Sequence, residues 1–577
     1  MTAASQSKQT EPRGIARYIP ILQWLPKYER SWLRLDLIAG LTVGALVVPK
    51  SLGYAGIAGV PIQYGLYAAA AGAILYAFFG TSRQIATGPS SALAAVAAGA
   101  VITAGVGGSE QAVTLVASIT FVTGILFLLL ALLKMGWISQ FLSKAVITGF
   151  LFGAAIQVVI GELSKLTGTS VEGSNSWQKL FSWFQSVSET HLVTLVVGVF
   201  SLILIFGLRK VAPKVPGALV LVIGGLLASA LLGLGDLGVA LVGEVPSGLP
   251  TLVLPDLQFI INNIAVIGAA AVGLLLIGFS QSAGDARAFA SKHRYRIDIN
   301  QESVAQGMAN IGSGVVQGIP VSTSLSASSL NDTSGAKTPV SSLTTGVLVI
   351  LTLLFLAPLL SGLPKAVLAA IIIEAVVMGM MDVAEMRRLH RVTRVDFWIA
   401  VAAILGVLSV GVLAGVVIGI LLSIGWLIYV SAKPNMPVLG HKTGTQVFRS
   451  IDEFPDSETY PGLLVLRFDA GLFFASSDAL GDRLRELALK ADPPLHTVVL
   501  DFEGVNFIDS QGSDKMSELI ELAGNYDIEL RLTRLKAEVK DLLQKDGVID
   551  QLGEDYIYGN VHEAAADLIS DMPDSSL

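Results

Sequence analysis

A polytopic α-helical membrane domain followed by a small α/β domain is the fold class this sequence predicts, and three observations predict it. The 577 residues are 53% hydrophobic but only 14% charged, a composition better solvated by lipid than by water. From Asp36 to Val430, apolar runs of roughly 20 residues, the length a bilayer-spanning helix needs, alternate with short breaks. Past Lys433-Pro434-Asn435 the pattern changes to strand-like runs alternating with helix-like ones.

In chain order, residues 1–35 are polar and carry Arg13, Arg17, Lys27, Arg30 and Arg34, which argues against a cleavable signal peptide and for a cytoplasmic N-terminal segment. Apolar runs then begin near Leu37, Tyr64, Val113, Ala145, Leu192, Ala218, Ile264, Leu343, Ala366 and Phe397. The last run, Phe397 to Val430, is too long for one crossing and is expected to turn near Ser409 to Gly415. Basic clusters fall at Lys134 and Lys144, at Arg209, Lys210 and Lys214, at Arg287 to Arg296 and at Arg387 to Arg394, whereas Gly235 to Asn262 has no Lys or Arg. With half-depth segments at Ile85 to Ala100 and around Gly312 to Asn331 counted as crossings, every basic loop lies on the side of the N-terminus. That gives about fourteen spans, both ends cytoplasmic, in a multi-pass protein of the cell membrane. The expected divisions are 1–35 N-terminal segment, 36–432 membrane domain, 433–445 linker marked by Pro434 and Pro437, and 446–577 cytoplasmic domain. In the last of these, Leu463 to Phe468, Thr497 to Phe502 and Ile528 to Thr533 read as strands, and Asp478 to Lys490, Ser513 to Ala523 and Ala537 to Gln544 as helices.

Composition also excludes chemistry. Cysteine is absent, which removes disulfides, thiolate metal sites and cysteine nucleophiles. Six scattered histidines without an HExxH spacing disfavour a metal enzyme, and no GxxxxGK[ST] loop or nucleophile motif appears. The net charge of −7 hides an asymmetry: from His441 onward there are 27 acidic and 12 basic residues, which leaves 18 and 26 before it. The first part is therefore basic and apolar and the last acidic and soluble-looking, and no nucleic acid is expected as a partner.

Function concentrates where polarity is wrong for lipid. Asn300 to Pro339 is packed with Gly, Ser, Thr and Asn between membrane-span neighbours, and non-helical backbone at membrane depth survives only inside protein or along a cavity. Thr81 to Leu93 has the same design: an extended piece at Ile85 to Thr87, then Gly88-Pro89-Ser90, then a small-residue helix from Ala92 to Ala100. Pro89 is expected at a helix first turn, where its missing N–H costs nothing. In the second half, Gly318 to Val321 precedes Ser322-Thr323-Ser324. Two half-helices in corresponding places fit an inverted-repeat transporter whose helix N-termini meet near the midplane. Free N–H groups and partial positive charge at such ends select an anion. The competing explanation is an ordinary Gly/Ser helix-packing motif.

Four stretches now carry a resemblance: Val48 to Ala55, Gly80 to Arg83 through Gly88-Pro89, Asn300-Gln301-Glu302 with Gly307 and Asn310, and Ser334 to Pro339. In these the chain resembles the SulP anion permeases, a family that includes the eukaryotic sulfate-transporter solute carriers. Val498 to Gly512 similarly resembles the signature of STAS domains. The resemblance implies seven-plus-seven inverted repeats, a core bundle moving against a gate bundle, and homodimers. It implies secondary active transport of a small inorganic oxyanion across the plasma membrane by an elevator-like mechanism, with sulfate as the default. Bicarbonate or a dicarboxylate as substrate, or an uncoupled anion channel on the same scaffold, are the alternatives. No cofactor is implied beyond a coupling H+ or Na+.

Three positions depart from the family pattern. Lys50 stands where Gln is usual. Gln281 stands where a carboxylate linked to cation coupling is frequent, with Asp285 one helical turn on. Ala327 stands where many bacterial members have Arg. An intramembrane charge is a functional suspect, so Lys50 is expected to bind the anion or, in the empty site, to pair with Asp285; a fixed Lys50–Asp285 pair and a snorkelling Lys50 are the alternatives. The expected binding set is Lys50, Tyr54, Thr87, Gly88, Pro89, Ser90, Gln281, Ser322, Thr323 and Ser324. Asp285 and Glu374 are the coupling candidates, Glu374 being otherwise a carboxylate satisfied by a neighbouring helix. Ser510 matches the serine phosphorylated in soluble STAS relatives, where phosphate would sit at a helix N-terminus. Asp509 and Ser510 are also ordinary N-cap residues, so trafficking, dimer contacts or docking of a cytoplasmic protein are the other expected roles of this domain.

Overall fold

The computed structural model describes residues 18–106, 110–135, 143–173, 175–212 and 215–570. Arg13, Arg17 and Lys214 of the basic clusters lie outside these. The described chain divides into two compact units, Met1–Ser423 and Ile424–Leu577.

The first unit runs twice through one order of elements. Helices Leu33–Ala58 and Gln63–Phe79 lead to the strand Thr87–Pro89 (β1) and the half-helix Ser91–Ala104. Helices Glu110–Leu132, Lys144–Thr167, the short amphipathic Ser176–Gln185, Leu192–Val211 and Gly217–Leu232 complete the first pass. The second pass repeats it: Ile264–His293, Ile299–Val315, the strand Val321–Thr323 (β2), the half-helix Leu325–Thr333, Val340–Leu351, Lys365–Met380, the short amphipathic Val383–Val392, Arg394–Ser409 and Val412–Ser431. Even the short amphipathic helix recurs after the fifth crossing. The expected turn after Ser409 is present, because Val410 and Gly411, the latter at φ +128°, interrupt the run.

Eight helices among the described residues are long and apolar enough to cross a bilayer. Their outward faces are apolar, as on Leu192–Val211, where Leu192, Val196, Phe200 and Ile203 are exposed. A protein that leaves such a stripe uncovered is solvated there by lipid. Inside, small residues let backbones meet. A Cβ at Gly65 would lie 2.0 Å from the Ser51 carbonyl oxygen, and one at Gly40 would lie 2.4 Å from that of Ser341. Gly65→Ala is therefore expected to cost about 1–3 kcal/mol through overpacking, read as a lower melting temperature in detergent; unchanged melting would show that the two helices can part.

The second unit is an α/β sheet. Strands Leu463–Arg467, Thr497–Asp501, Glu529–Thr533 and Ile557–Tyr558 pair in parallel in that order, each expected strand lying within about a residue of its place. Alternation sends Leu464, Leu466, Val498, Leu500, Leu530 and Leu532 to one core and Val465 and Val499 to the other face. The expected linker at 433–445 needs correction. It holds the strand Leu439–His441, which pairs with Phe448–Ser450, whereas the last long helix ends at Ser431, inside the expected membrane domain 36–432. Ser510 is the exposed first residue of the helix Ser510–Asn525, capped by Asp509, whose carboxylate accepts from Gly512 N–H at 2.8 Å.

Candidate anion site

The two polar breaks in the first unit are one structure. β1 and β2 pair antiparallel, Thr87 opposite Thr323, Gly88 opposite Ser322 and Pro89 opposite Val321. An antiparallel pair built from matching pieces of two repeats is what inversion of one repeat requires. Pairing also corrects the expectation for Pro89. Held opposite Val321 it ends the strand, and Ser90, extended at φ −122° and ψ 134°, becomes the N-cap.

The helix Ile299–Val315 supplies the walls. Asn310 acts as a third strand: its Oδ1 accepts from Val321 N–H at 3.1 Å and its Nδ2 donates to Val321 O at 2.9 Å. Gln306 Nε2 donates to Thr87 Oγ1 at 3.1 Å, and Ser313 Oγ donates to Ile319 O at 2.7 Å. The approach to β1 is anchored from the opposite repeat, since Ser324 N–H donates to Ala86 O at 3.1 Å and Ala86 N–H donates to Ser328 Oγ at 2.9 Å.

Two buried carboxylates explain two of the sequence stretches as clamps. Glu302 accepts from the Tyr76 hydroxyl at 2.7 Å, Thr81 N–H at 2.7 Å, Ser82 N–H at 3.0 Å and the Thr81 hydroxyl, fixing the loop ahead of β1. Asp36 accepts from Lys337 N–H and the Thr338 hydroxyl at 2.6 Å each and from Thr338 N–H at 3.1 Å, fixing the loop after the second half-helix. Each carboxylate takes several donors in place of a cation, which keeps a buried charge solvated by the fold itself.

Both half-helices present N–H donors without an acceptor among the described residues. Ala94 N–H donates to Ser90 O at 2.9 Å as the first intrahelical bond, leaving the N–H groups of Ser91, Ala92 and Leu93. In the second, Ser328 N–H donates to Ser324 O at 2.8 Å and Ala327 N–H to the Ser324 hydroxyl at 3.4 Å, leaving those of Leu325 and Ser326. Beside them lies a cavity of ≈ 500 Å³ whose lining includes Lys50, Tyr54, Ser90, Gln281, Asp285, Thr323, Ser324 and Glu374. Thr87, Gly88 and Pro89 line a smaller adjoining pocket that also reaches Lys50.

The structure thus brings together most of the predicted set, with differences of role. Ser322 is 1% exposed, and its hydroxyl turns to Gly278 O and Ser282, each at 3.4 Å; that face is packed, so Ser322 shapes the wall. Thr87 Oγ1 is likewise occupied by Gln306. The expected Lys50–Asp285 pair is absent. Asp285 Oδ2 instead accepts from Thr323 Oγ1 at 2.7 Å, while Lys50, next to Pro49 inside the helix Leu33–Ala58, has no hydrogen-bond or ion-pair partner among the described residues. Glu374 and Arg209 line the same cavity. Glu374 is satisfied by a neighbouring helix, through Arg209 Nη1 at 2.6 Å. Gln281 Oε1 is buried without a partner. Ala327, 3% exposed, packs with Val43 and Ala86. Sequence reasoning missed Ser91, Arg209, Ser326 and Ser329 in the lining. The i, i+3 spacing of Ser326 and Ser329 on a helix start was a usable signal, whereas Arg209 was submerged in a basic terminal cluster.

The model of the sulfate permease family matches residues 33–403, and that of the STAS domain matches 454–564. A "Probable sulfate transporter" of Mycobacterium tuberculosis is 32% identical over 543 residues, covering 94% of this chain and 96% of that protein. Sulfate transporter 4.1 of Arabidopsis thaliana, a chloroplastic protein, is 31% identical over 564 residues, covering 94% of this chain and 82% of that one. The solved structure of the murine Solute Carrier 26 family member A9 anion transporter superposes with a TM-score of 0.89 at 21% identity, covering 98% of this chain and 97% of that one; it shares the fold.

Proposed function

The chain belongs to the sulfate permease family, and from that premise we propose that it is a secondary active transporter that carries sulfate across the cell membrane by alternating access. The observation that carries this reading is the β1–β2 pair with its two half-helix N-termini, set beside a cavity that holds an unpaired lysine. Helix ends contribute N–H donors and partial positive charge, and Lys50 adds a full charge. Attraction in such a site scales with ligand charge, which favours divalent sulfate over monovalent bicarbonate. The names of the mycobacterial and plant relatives support the same substrate. Lys50, Tyr54, Ser90, Gln281 and Ser324 are the proposed ligands, the uncommitted Gln281 carboxamide offering its NH2 group. Gly88 and Pro89 contribute backbone only, and Thr87, Ser322 and Thr323 support them.

For coupling, Asp285 is the proposed group. It touches a hydroxyl but no cation among the described residues, so a proton or Na+ from the cavity is the partner its charge lacks. The proposal extends to a homodimer with both termini in the cytoplasm, and to a STAS domain that acts through a cytoplasmic protein or through phosphate on Ser510.

Reconstitution into liposomes with radiolabelled sulfate, bicarbonate and fumarate, with and without pH and Na+ gradients, tests the reading. Saturable, gradient-driven sulfate uptake is expected. Preference for bicarbonate or fumarate would reassign the substrate, and anion conductance that ignores every gradient would make the protein a channel. Asp285→Asn, which keeps an acceptor for Thr323 but cannot exchange a proton, is expected to retain sulfate exchange and to lose gradient-driven accumulation. Undiminished accumulation in that variant would move coupling elsewhere.

A further inference from the structure

The cavity is walled on one side by the half-helix ends and Lys50, and on the other by Arg209, Glu374, Ala375, Met378 and Gly379. The second wall comes from the helices Leu192–Val211 and Lys365–Met380, sixth in the first pass and fifth in the second. Its charged groups are poised unequally. Glu374 is buried, its side chain 9% exposed, while that of Arg209 is 50% exposed. Only Nη1 of the guanidinium is engaged among the described residues, by Glu374 Oε1 at 2.6 Å. Nε and Nη2 are left free, and a guanidinium presents its donors as a rigid fork that matches an oxyanion two atoms at a time. The cavity lining thus holds two cations, Lys50 and Arg209, and two carboxylates, Glu374 and Asp285, of which only Arg209 and Glu374 are paired with each other among the described residues.

We propose that Arg209 is a specificity-determining residue of the anion site: Glu374 parks it while the cavity is empty, and the transported oxyanion draws it away as a bidentate ligand opposite Lys50. This rests on the transport reading above and deepens it. Glu374 then competes with the anion for the same guanidinium, so the wild-type affinity is lower than the site could provide. An oxyanion that bridges the two walls also couples site occupancy to their relative position. Chloride, with a single centre and no pair of oxygens, gains less from the fork than sulfate does.

The test measures the half-saturating concentration of radiolabelled sulfate, and its inhibition by chloride, in liposomes holding the full chain; both are independent of how much of each variant folds. Glu374→Gln is expected to lower the half-saturating concentration about three- to tenfold by freeing the guanidinium. Arg209→Gln is expected to raise it about tenfold or more, and Arg209→Lys, which keeps the charge without the fork, to raise it while chloride inhibition changes little. The double variant Arg209→Gln, Glu374→Gln should match Arg209→Gln alone. A purely structural pair behaves differently: the single variants lose activity without an affinity change and the double variant recovers it. That pattern, or an unchanged or raised half-saturating concentration in Glu374→Gln, overturns the proposal while leaving transport intact. Failure of the wild type to move any anion overturns the transport reading itself.

Discussion

Lys50→Gln raises the half-saturating sulfate concentration by about ten- to a hundredfold, the expected worth of one charge-assisted hydrogen bond of about 1.5–3 kcal/mol. Three facts set the size of the effect. The ammonium has no protein partner among the described residues, so removing it orphans no carboxylate and the loss falls on the guest. It lines both the cavity and the pocket against Thr87 to Pro89. Glutamine is one atom shorter and keeps an N–H donor, so the charge is deleted with only a small change in packing beside Pro49. Because Coulomb attraction scales with ligand charge, inhibition by a monovalent anion should weaken less than sulfate uptake. Sulfate uptake kinetics in liposomes check this, and an unchanged half-saturating concentration would remove Lys50 from the site.

Asn310→Leu has the larger effect on the scaffold. The side chain satisfies both backbone groups of Val321, which is fully buried. Leucine has nearly the same size and neither hydrogen bond, so an N–H and a C=O are left unpaired at about 1–3 kcal/mol each. β2 would then part from its wall, and the second half-helix start, two residues beyond it, would lose its place. Sulfate uptake is expected to fall by at least an order of magnitude, through rate as well as affinity, with a lower melting temperature. Asn310→Asp, which keeps the acceptor for Val321 N–H, should be milder in melting and still impaired in uptake. Full activity in Asn310→Leu would mean that the strand pair holds without this helix.

Much of this arrangement was legible in the chain. A break such as Gly318-Ile319-Pro320 amid apolar runs is conspicuous because lipid tolerates no unpaired backbone, and its repetition around Gly88 is visible without coordinates. The strands of the second unit, alternating in a short period, were placed nearly to the residue. Boundaries were less legible where pairing outweighs local preference: Pro89 suits a helix first turn by itself, yet Val321 keeps it extended. The strand Leu439–His441 is similar, since three residues form a strand there only because Phe448–Ser450 lies alongside.

Roles of individual polar residues were the least legible. Ser322 and Thr87 have the composition of ligands, and only their neighbours Gly278, Ser282 and Gln306 turn them into wall. Nothing local marks Glu302 and Asp36 as clamps; the four donors on Glu302 and the three on Asp36 come from distant segments. The sequence by itself determined the membrane class, the two broken crossings, the anion preference of their helix ends and the α/β tail, because each follows from local hydrophobicity, period and backbone hydrogen bonding. Only the tertiary structure decided which partner each charge takes: Asp285 meets the Thr323 hydroxyl, Glu374 meets Arg209, and Lys50 has no protein partner among the described residues. Such pairings depend on distances between residues up to 165 positions apart, and no local pattern carries that information.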